Sequence, residues 1–405
     1  MSAGSPPDAG RAAGPIGELA ELRSEANRRF FEGEAERIAR CCHELATRFA
    51  RGGRLLAIGA TPTARSDARH VSVEFVHPVI VGKRALPAIA ICAEGGPIEM
   101  QLGGLATDSD AVIAFEAGEP GTATARAVAL GRERGCQTIA FAPCGAAWEF
   151  VPDVDDAFVR QELIETLYHV LWELVHVFFD HRGLLEGRSQ RATHDAGASS
   201  FLYPFLAEKE TDLDSVLDDV RRSVLLKAEE IGELRESTLH ANSTVLEGAA
   251  AALRRRFEAG GKLLALGNGG SATDAMDVVA DFRDDAEGRW TARSAIDLTE
   301  DAPILTAVAN DVGVEEIFQR QVIAYGHEGD ALIAFSTSGG SENVIEALAE
   351  ARRRGIETIA MVGYDGGRIA ADALADHVVV SRSQHIPRIQ EAQASAYHVL
   401  RALVG

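Results

Sequence analysis

A glycine-rich turn at residues 267–271 is the first place where this sequence could bind an anion. The turn, GNGGS, follows the apolar run 263–266 and precedes a segment of helical composition that reaches Phe282. Only a glycine-rich backbone makes such a strand-to-helix turn, and its N–H groups point outward at a helix N-terminus, where the macrodipole adds roughly half a positive charge. This pattern predicts a phosphate cradle, here called the first phosphate loop, with Asn268 and Ser271 as ligands.

A second loop, at residues 336–341, repeats the design with hydroxyl groups. The segment ALIAFSTSGGSENV carries four hydroxyls within six positions at the end of an apolar strand, with two glycines that let the backbone come close. A Ser/Thr-rich turn that caps a helix explains either loop alone. Two such loops in one α/β unit favour a phosphate-ester site. In this second phosphate loop the predicted ligands are Ser336, Thr337, Ser338 and Ser341.

Histidines and a carboxylate supply a different kind of chemistry. His70 and Glu74 are four residues apart, which puts both side chains on one face of a helix, and Gln161 and His169 lie eight residues apart in a later helical segment. A surface ion pair is the simpler interpretation of the first pair, and a core histidine that of His169. Two imidazoles, a carboxylate and an amide oxygen also suit a borderline metal such as zinc.

The chain contains two copies of one unit, about 208 residues apart. RLLAIGAT at residue 54 matches GKLLALGN at 261, and GRERGCQTIAFAP at 131 matches ARRRGIETIAMVG at 351. RQELIETLYHVLWELV at 160 matches IQEAQASAYHVLRALV at 389. Three matches in the same order indicate a gene duplication.

The stretches GNGGS, STSGGS and RIQEAQASAYH together resemble the sugar isomerase (SIS) family, and within it phosphoheptose isomerase, over roughly residues 213–405. The resemblance implies an aldose–ketose isomerase for a sugar phosphate. The reaction it implies converts sedoheptulose 7-phosphate to a heptose 7-phosphate through an enediol, with a sugar phosphate as the partner molecule. The fold it implies is α/β, with two tandem SIS-type domains packed as a pseudo-dimer.

The resemblance also suggests roles for individual residues. In phosphoheptose isomerases a helix carries a histidine and, four residues on, a glutamate that serves as the base and in some members as a zinc ligand. Glu74 is the first candidate base and Asp281, its counterpart in the second copy, is the second candidate. The family's acid-catalyst histidine matches His169 and His398, and its glutamine matches Gln390 in the second copy, with Gln161 at the equivalent place in the first. The resemblance thus implies four candidate metal ligands: His70, Glu74, Gln161 and His169. Asp311 matches an aspartate that the family places near the sugar.

The two copies have lost different parts of this set. In the first copy the glycine turn becomes GATPT, and Pro62 removes an N–H donor. Its second loop becomes FEAGEPGT, where Glu116 and Glu119 would repel a phosphate. The first copy should therefore not bind phosphate.

The second copy keeps both loops but has Asp277 and Asp281 where the first has His70 and Glu74. Ser271 and Asp281 are ten residues apart, so on one helix they are separated by about 15 Å, whereas a seven-carbon sugar phosphate spans about 8 to 10 Å. A helix from the facing copy could complete the pocket. The sequence therefore predicts a reaction centre shared between the two copies.

Two other functions remain open at this point. GNGGSA also satisfies the G-x-G-x-x-A dinucleotide fingerprint, but a lone fingerprint is weak and the hydroxyl-rich second loop is not part of it. We therefore expect no nucleotide cofactor, with zinc as a possible metal. Because the aspartates of the second copy are shorter than the family's glutamate, a catalytically inactive SIS protein that senses a sugar phosphate or binds a protein is the alternative.

Composition excludes several classes. The 405 residues are 46% hydrophobic, which suffices for two α/β domains, and a formal charge of −21 argues against nucleic acid as a partner. No apolar run has the ~18 residues of a membrane span, and the N-terminus lacks the features of a signal peptide, so a cytoplasmic protein is expected. We expect an intramolecular pseudo-dimer that pairs further into a homodimer.

The predicted organisation is a disordered N-terminus at 1–15, a first SIS-like domain at 16–182, a linker at 183–211 and a second SIS domain at 212–405. Helical spacing and the stop at Gly52 predict two helices between residues 16 and 51. Apolar runs predict strands at 54–58, 88–92, 111–115 and 137–141 in the first domain. In the second they predict strands at 263–266, 294–298, 304–309, 331–335, 357–362 and 377–380.

Overall fold

The computed structural model describes residues 14–79, 83–115, 121–180, 213–284 and 290–405. In the first domain the helices are α1 (Pro15–Ala50), α2 (Pro62–Val76), α3 (Ile98–Leu105), α4 (Ala123–Glu133) and α5 (Ala157–Asp180), with a 3₁₀ turn at Ala93–Gly95. The strands are β1 (Leu55–Gly59), β2 (Ala88–Cys92), β3 (Ala111–Ala114), β4 (Gln137–Ala140) and β5 (Trp148–Glu149).

The second domain repeats this plan with extra helices. Its long helices are α6 (Leu213–Ala241), α7 (Ser243–Glu258), α8 (Gly270–Arg283), α11 (Glu342–Arg353) and α13 (Ile386–Val404). The shorter helices are α9 (Ala302–Asp311), α10 (Gln319–Tyr325) and α12 (Gly367–Ala371), with a 3₁₀ turn at Val314–Glu316. The strands are β6 (Leu263–Leu266), β7 (Ala295–Asp297), β8 (Ala331–Ser336), β9 (Glu357–Gly363) and β10 (His377–Ser381).

The two sheets have the same topology. Each has five parallel strands, in the order β2-β1-β3-β4-β5 in the first domain and β7-β6-β8-β9-β10 in the second. The central strands β1 and β6 are buried along their whole length, as expected for parallel strands with helices on both faces. The α/β class and the two tandem domains are thereby confirmed.

The domains pack as a pseudo-dimer in which three helices of the first domain meet their counterparts in the second. Helix α1 lies along α6, α2 along α8, and α5 against α13. The two cores are also interleaved: Ile16 and Ala20 of α1 belong to the core of the second domain, whereas Val216 and Val220 of α6 belong to that of the first. Packing of a helix against its own equivalent is typical of a two-fold symmetric dimer. The predicted pseudo-dimer is confirmed.

Three details of the secondary structure differ from the prediction. Residues 304–309 form part of helix α9 and not a strand, because Asp301 caps the helix by accepting from the Ile304 N–H, and an apolar run alone does not separate the two structures. The two helices predicted before Gly52 are one continuous helix, α1. The short strand β5 was not predicted.

Other predictions lie outside the described residues. These are the linker at 183–211, the N-terminus except for Gly14 and Pro15, and the pair Glu116 and Glu119. Within the ranges that are described, every helix is too short or too polar to cross a membrane.

Candidate functional site

Helix α2 presents His70 and Glu74 to the interior of the molecule. Its first turn is fixed by Thr61, whose hydroxyl accepts from the Ala64 N–H, and by Pro62 at the start of the helix. His70 is 3% exposed and Glu74 is 2% exposed. A surface ion pair is thereby excluded for these two residues.

A second histidine and an amide join them from two different domains. His169 on α5 places its Nε2 3.3 Å from the Nε2 of His70. Gln390 on α13 of the second domain places its amide nitrogen 3.2 Å from the same His70 atom. We call the four residues His70, Glu74, His169 and Gln390 the His70 centre.

The protonation of His169 follows from its partner. The Nδ1 of His169 lies 2.9 Å from a carboxylate oxygen of Glu391, also in the second domain. Burial would raise the pKa of Glu391, but the Arg388 guanidinium and His169 outweigh it and hold that pKa below its usual value. An ionised carboxylate only accepts hydrogen bonds, so His169 carries its proton on Nδ1. Its Nε2 atom faces His70.

Burial also sets the charge of the other two titratable groups. It lowers the pKa of His70 well below the usual value, with His169 adding to the effect, so His70 is neutral. It raises the pKa of Glu74 to about 7. The Glu74 carboxylate can thus take up and release a proton near neutral pH, as a general base must.

The spacing of the ligand atoms in the His70 centre fits a bound metal ion. Ligand atoms of His70, Glu74 and His169 all lie within 4.8 Å of one another. Two nitrogen ligands at zinc are about 3.3–3.4 Å apart, and the two Nε2 atoms are separated by 3.3 Å. The Oε2 of Glu74 and the Oε1 of Gln390 are buried and have no hydrogen-bond partner. A cation would satisfy both atoms, since the amide of Gln390 can turn to present its oxygen.

The first phosphate loop reaches the His70 centre from the second domain. A Cβ atom added at Gly270 would lie 2.2 Å from the amide nitrogen of Gln390 and 2.9 Å from the Nε2 of His70. Only glycine fits there. The helix N-terminus that starts at this glycine therefore abuts the imidazole of the other domain.

The two phosphate loops are tied together by an amide pair. Asn268 and Asn343 each donate to the other at 2.9 Å. In the second phosphate loop the hydroxyls of Ser336 and Ser341 are 3.0 Å apart, and Ser338 accepts from the Gly340 N–H at 3.2 Å. Asn343 was not predicted as a site residue, although its place two residues after Ser341 was a usable signal. Thr337 is half-buried in the same loop.

A second group of predicted residues forms the pseudo-equivalent centre, which we call the Asp277 centre: Asp277, Asp281, His398 and Gln161. The amide of Gln161 donates to Asp277 at 2.6 Å, so this glutamine lies away from the His70 centre with which it was grouped as a metal ligand. The glutamine at His70 is Gln390. Each centre thus takes its glutamine from the opposite domain.

In the Asp277 centre, Asp277 occupies the position that His70 has in the other centre. Asp277 also accepts from the hydroxyls of Ser66 and Tyr397. The Nε2 of His398 lies 3.6 Å from Asp281, whose pKa burial raises to about 7. The ring of Phe158 stacks on His398 at 4.6 Å. Among the described residues, the candidate metal-binding groups include none of these side chains.

Asp311 lies at the end of α9, is exposed, and accepts from the side chain of Asn310 at 2.7 Å. Among the described residues, its hydrogen bonds include none to either centre.

Comparison with known proteins agrees with this architecture. The profile of the SIS domain matches residues 228–363. The phosphoheptose isomerase of Chlorobium phaeobacteroides is 41% identical over 212 residues, which are 52% of this chain and 88% of that protein. The chain belongs to the phosphoheptose isomerase family.

Solved structures of SIS proteins extend the likeness to both domains. The tagatose-6-phosphate ketose/aldose isomerase of Escherichia coli covers 98% of the chain with a TM-score of 0.59 at 12% identity. The C-terminal domain of the glucosamine-fructose-6-phosphate aminotransferase of Francisella tularensis also covers 98%, with a TM-score of 0.59 at 9% identity. At these identities the likeness concerns the fold alone. As a member of the phosphoheptose isomerase family, the chain is a phosphosugar isomerase.

Proposed function

We propose that this isomerase converts sedoheptulose 7-phosphate to a heptose 7-phosphate at the His70 centre, with its phosphate loops supplied by the second domain. The observation that carries the proposal is the contact of Gly270 with His70 and Gln390. This contact places the first phosphate loop, which belongs to the second domain, directly beside the His70 centre. That centre contains a base, two imidazoles and an amide, contributed by both domains. The family relatives named as phosphoheptose isomerases support the choice of substrate.

Phosphate binding rests on backbone N–H groups and hydroxyls and not on cationic side chains. The net charge of −21 repels an anionic substrate at long range, so the attraction is local. The N-terminus of α8 supplies a positive dipole end, and the reciprocal Asn268–Asn343 pair holds the two phosphate loops in one register. The ligands in this proposal are Asn268, Ser271, Ser336, Thr337, Ser338 and Ser341.

The proton transfer is assigned to Glu74. Isomerisation moves a proton between C1 and C2 through an enediol, which requires a base at carbon and an acid or electrophile at oxygen. Glu74 is buried, has a pKa of about 7 and keeps one carboxylate oxygen without a partner. Burial excludes water that would otherwise solvate the carboxylate and weaken it as a base.

His169 acts at the carbonyl oxygen in one of two ways. In the first, the Nε2 atom carries a proton that His169 donates to the carbonyl oxygen. In the second, the Nε2 atom binds a metal ion. We propose zinc, held by His70, His169, Glu74 and Gln390. Zinc, when bound, would polarise the substrate carbonyl. Asp281 and His398, the other predicted catalytic residues, lie in the Asp277 centre and have no step in this proposal.

Nuclear magnetic resonance in deuterated water tests the function directly. Sedoheptulose 7-phosphate incubated with the protein should convert to an aldose 7-phosphate and exchange the hydrogen at the carbon next to the carbonyl for deuterium. Fructose 6-phosphate and ribulose 5-phosphate serve as matched shorter ketoses. Binding of a sugar phosphate without conversion or exchange would contradict the proposal and favour the sensor function. The domain limits and the homodimer remain predictions.

A further inference from the structure

Arg401, near the end of α13, is a buried cation with unsatisfied hydrogen-bond donors. Its side chain is fully buried, and its Nε donates to the carbonyl oxygen of Asp281 at 2.9 Å. The other two guanidinium nitrogens, Nη1 and Nη2, have no hydrogen-bond partner among the described residues. We call these two nitrogens the outer edge of Arg401. A guanidinium stays charged inside a protein, so burying this edge unpaired costs free energy unless a ligand occupies it.

Two aromatic rings contact the Arg401 guanidinium. Its Cζ lies 5.0 Å from the ring centroid of Phe282 and 5.0 Å from that of Trp290. The Trp290 ring lies 6.1 Å from that of Phe158, which in turn stacks on His398. Aromatic rings attract a cation but do not replace oxygen acceptors for its N–H groups. The rings therefore hold the guanidinium in place and leave the outer edge to another group.

A second arginine adds positive charge at this place. The backbone N–H of Arg293 donates to the carbonyl oxygen of Phe282 at 2.6 Å, and the Arg293 Nε is buried without a partner in the described part of the chain. Burial is the main cause that lowers the pKa of Arg401, and the like charge of Arg293 adds to it, whereas Asp281 and Asp284 oppose both. An anion at the outer edge would offset the burial of charge and the repulsion.

The first domain has a tryptophan where the second has Arg401. Trp172 follows His169 by three residues, as Arg401 follows His398, within the matching helices α5 and α13. Trp172 is also fully buried. An uncharged side chain therefore suffices for packing at this place in the fold, and a buried charge is no gain in stability by itself. The arginine of the second domain thus needs a reason other than packing.

The chemistry of the outer edge indicates which ligand would bind. Buried polar atoms in native proteins are nearly always paired with protein groups, water or an ion. The parallel N–H groups of a guanidinium edge match two oxygens of a carboxylate or a phosphate. Because Arg401 is fully buried and Trp290 is partly buried, the ligand must be small.

We propose that the outer edge of Arg401, beside Phe282, Trp290 and Arg293, binds a small oxyanion whose carboxylate or phosphate oxygens accept from Nη1 and Nη2. This site adjoins the Asp277 centre through Asp281 and uses no residue of the phosphate loops or of the His70 centre. The inference goes beyond the proposed function and does not depend on it. A bound oxyanion stabilises the folded chain by mass action.

Trp290 reports on this site. Of the three tryptophans, it is the one whose ring contacts Arg401 among the described contacts. Sodium acetate and sodium phosphate are titrated into the full chain at fixed pH, with sodium chloride at the same ionic strength as the reference. We expect a saturable change in tryptophan fluorescence and a Tm higher by about 2–4 °C with acetate, phosphate or both. The two salts separate a carboxylate ligand from a phosphate ligand. Responses no larger than those to chloride would overturn the proposal.

A charge-matched pair of variants assigns the response to Arg401. Arg401→Met removes the outer edge, whereas Arg254→Met removes an exposed arginine that donates to the carbonyl oxygen of Leu403 near the end of the same helix α13. We expect Arg401→Met to abolish both responses and Arg254→Met to keep them. Arg401→Lys keeps the charge without the fork and should weaken binding at least about tenfold. Circular dichroism checks folding, and Arg401→Lys decides if Arg401→Met does not fold. Parent-like affinity in a folded Arg401 variant would overturn the proposal.

Inorganic phosphate also fits the phosphate loops, so a further variant separates the two sites. Ser338→Ala combined with Ser341→Ala should keep the response of Trp290, because it leaves Arg401 intact. A phosphate response that is lost in this double variant and kept in Arg401→Met would place the anion on the loops and overturn the proposal. These readouts need no turnover, so an absence of isomerase activity in the parent would contradict only the proposed function.

Discussion

The His70 centre and the Asp277 centre occupy equivalent places in the pseudo-dimer, but only the His70 centre has the full set of residues that the proposed chemistry needs. Each has a histidine on the last helix of one domain, a buried glutamate behind that histidine and a glutamine from the opposite domain. The His70 centre adds a second imidazole, Glu74 and a glycine loop that touches it. The Asp277 centre has two aspartates and contacts Ser66 of α2, the helix whose N-terminal turn has Thr61 and Pro62 in place of the glycines.

The difference shows how a duplicated chain can divide one active site between its halves. Because each centre draws on both domains, the first domain could lose its phosphate loops without harming the His70 centre, which uses the loops of the second. The second domain could likewise lose its histidine and glutamate on α8. In the Asp277 centre, the Asp277 carboxylate accepts three hydrogen bonds from protein side chains. These side chains stand where the His70 centre has its candidate metal ligands. What remains there stabilises the interface between the domains.

The largest expected effect separates Glu74 from its counterpart Asp281. Glu74→Gln should lower kcat by about 10²–10⁴-fold and leave sugar-phosphate binding nearly unchanged, because it removes the base and not the phosphate ligands. Asp281→Asn is the matched change in the other centre and should have a much smaller effect. Steady-state kinetics and calorimetric titration measure the two quantities. A fully active Glu74→Gln together with an inactive Asp281→Asn would move the chemistry to the second domain.

The second expected effect separates the loops of the two domains. Ser338→Ala combined with Ser341→Ala should weaken sugar-phosphate binding by several kcal/mol, since each hydrogen bond to a charged group contributes roughly 1.5 to 3 kcal/mol. Thr63→Ala, in the loop that replaces the glycine turn of the first domain, should leave affinity unchanged. Isothermal titration with the substrate measures both. Unchanged affinity in the double variant would refute the phosphate assignment.

A stability difference is expected for Glu162, the carboxylate behind His398. Burial opposes its ionisation, but Arg23 and His398 outweigh that effect and lower its pKa from 4.5 to about 2. A depressed folded pKa contributes about 3 kcal/mol of stability above the unfolded pKa, and this is lost as pH falls through 4.5 towards about 2.

Urea unfolding between pH 2.5 and 7 measures this contribution. Glu162→Gln should cost about 3–5 kcal/mol at pH 7, because it leaves Arg23 buried without its charged partner, and the cost should shrink as the pH falls. Glu36→Gln breaks an exposed pair with Arg40 and should change stability by less than about 1 kcal/mol. A cost for Glu162→Gln that stays constant over this pH range would count against the pairing.

The smallest expected effect is a pH dependence of metal binding. Glu74 must lose its proton to bind zinc, and burial raises its pKa to about 7. Zinc affinity should therefore rise about tenfold for each pH unit below 7 and level off above it. Chelator competition at several pH values, corrected for the chelator's own protonation, gives the slope. A flat profile in the parent, or the same slope in Glu74→Gln, would exclude Glu74 as the group that titrates.

The sequence predicted the parts of the site better than their assembly. The internal repeat revealed the two α/β domains and identified which copy kept the loops and which kept His70 and Glu74. It could not assign the glutamines, because Gln161 and Gln390 lie in equivalent motifs and only the pseudo-two-fold packing of α5 against α13 decides which histidine each one meets. Glu391 was missed for the same reason, since an interior glutamate has no local signal. The helical state of residues 304–309 depended on a cap at Asp301.

The central claim is that one reaction centre uses loops of the second domain and the base of the first. A crystal structure of Glu74→Gln with sedoheptulose 7-phosphate tests it most directly, because the inactive variant holds the substrate unchanged. The account predicts the phosphate on the loops at 267–271 and 336–341, with C1 and C2 within hydrogen-bond reach of residue 74 and a single occupied site per chain. A sugar whose C1 and C2 lie against Asp281, or a phosphate bound at Thr61–Thr63, would contradict it.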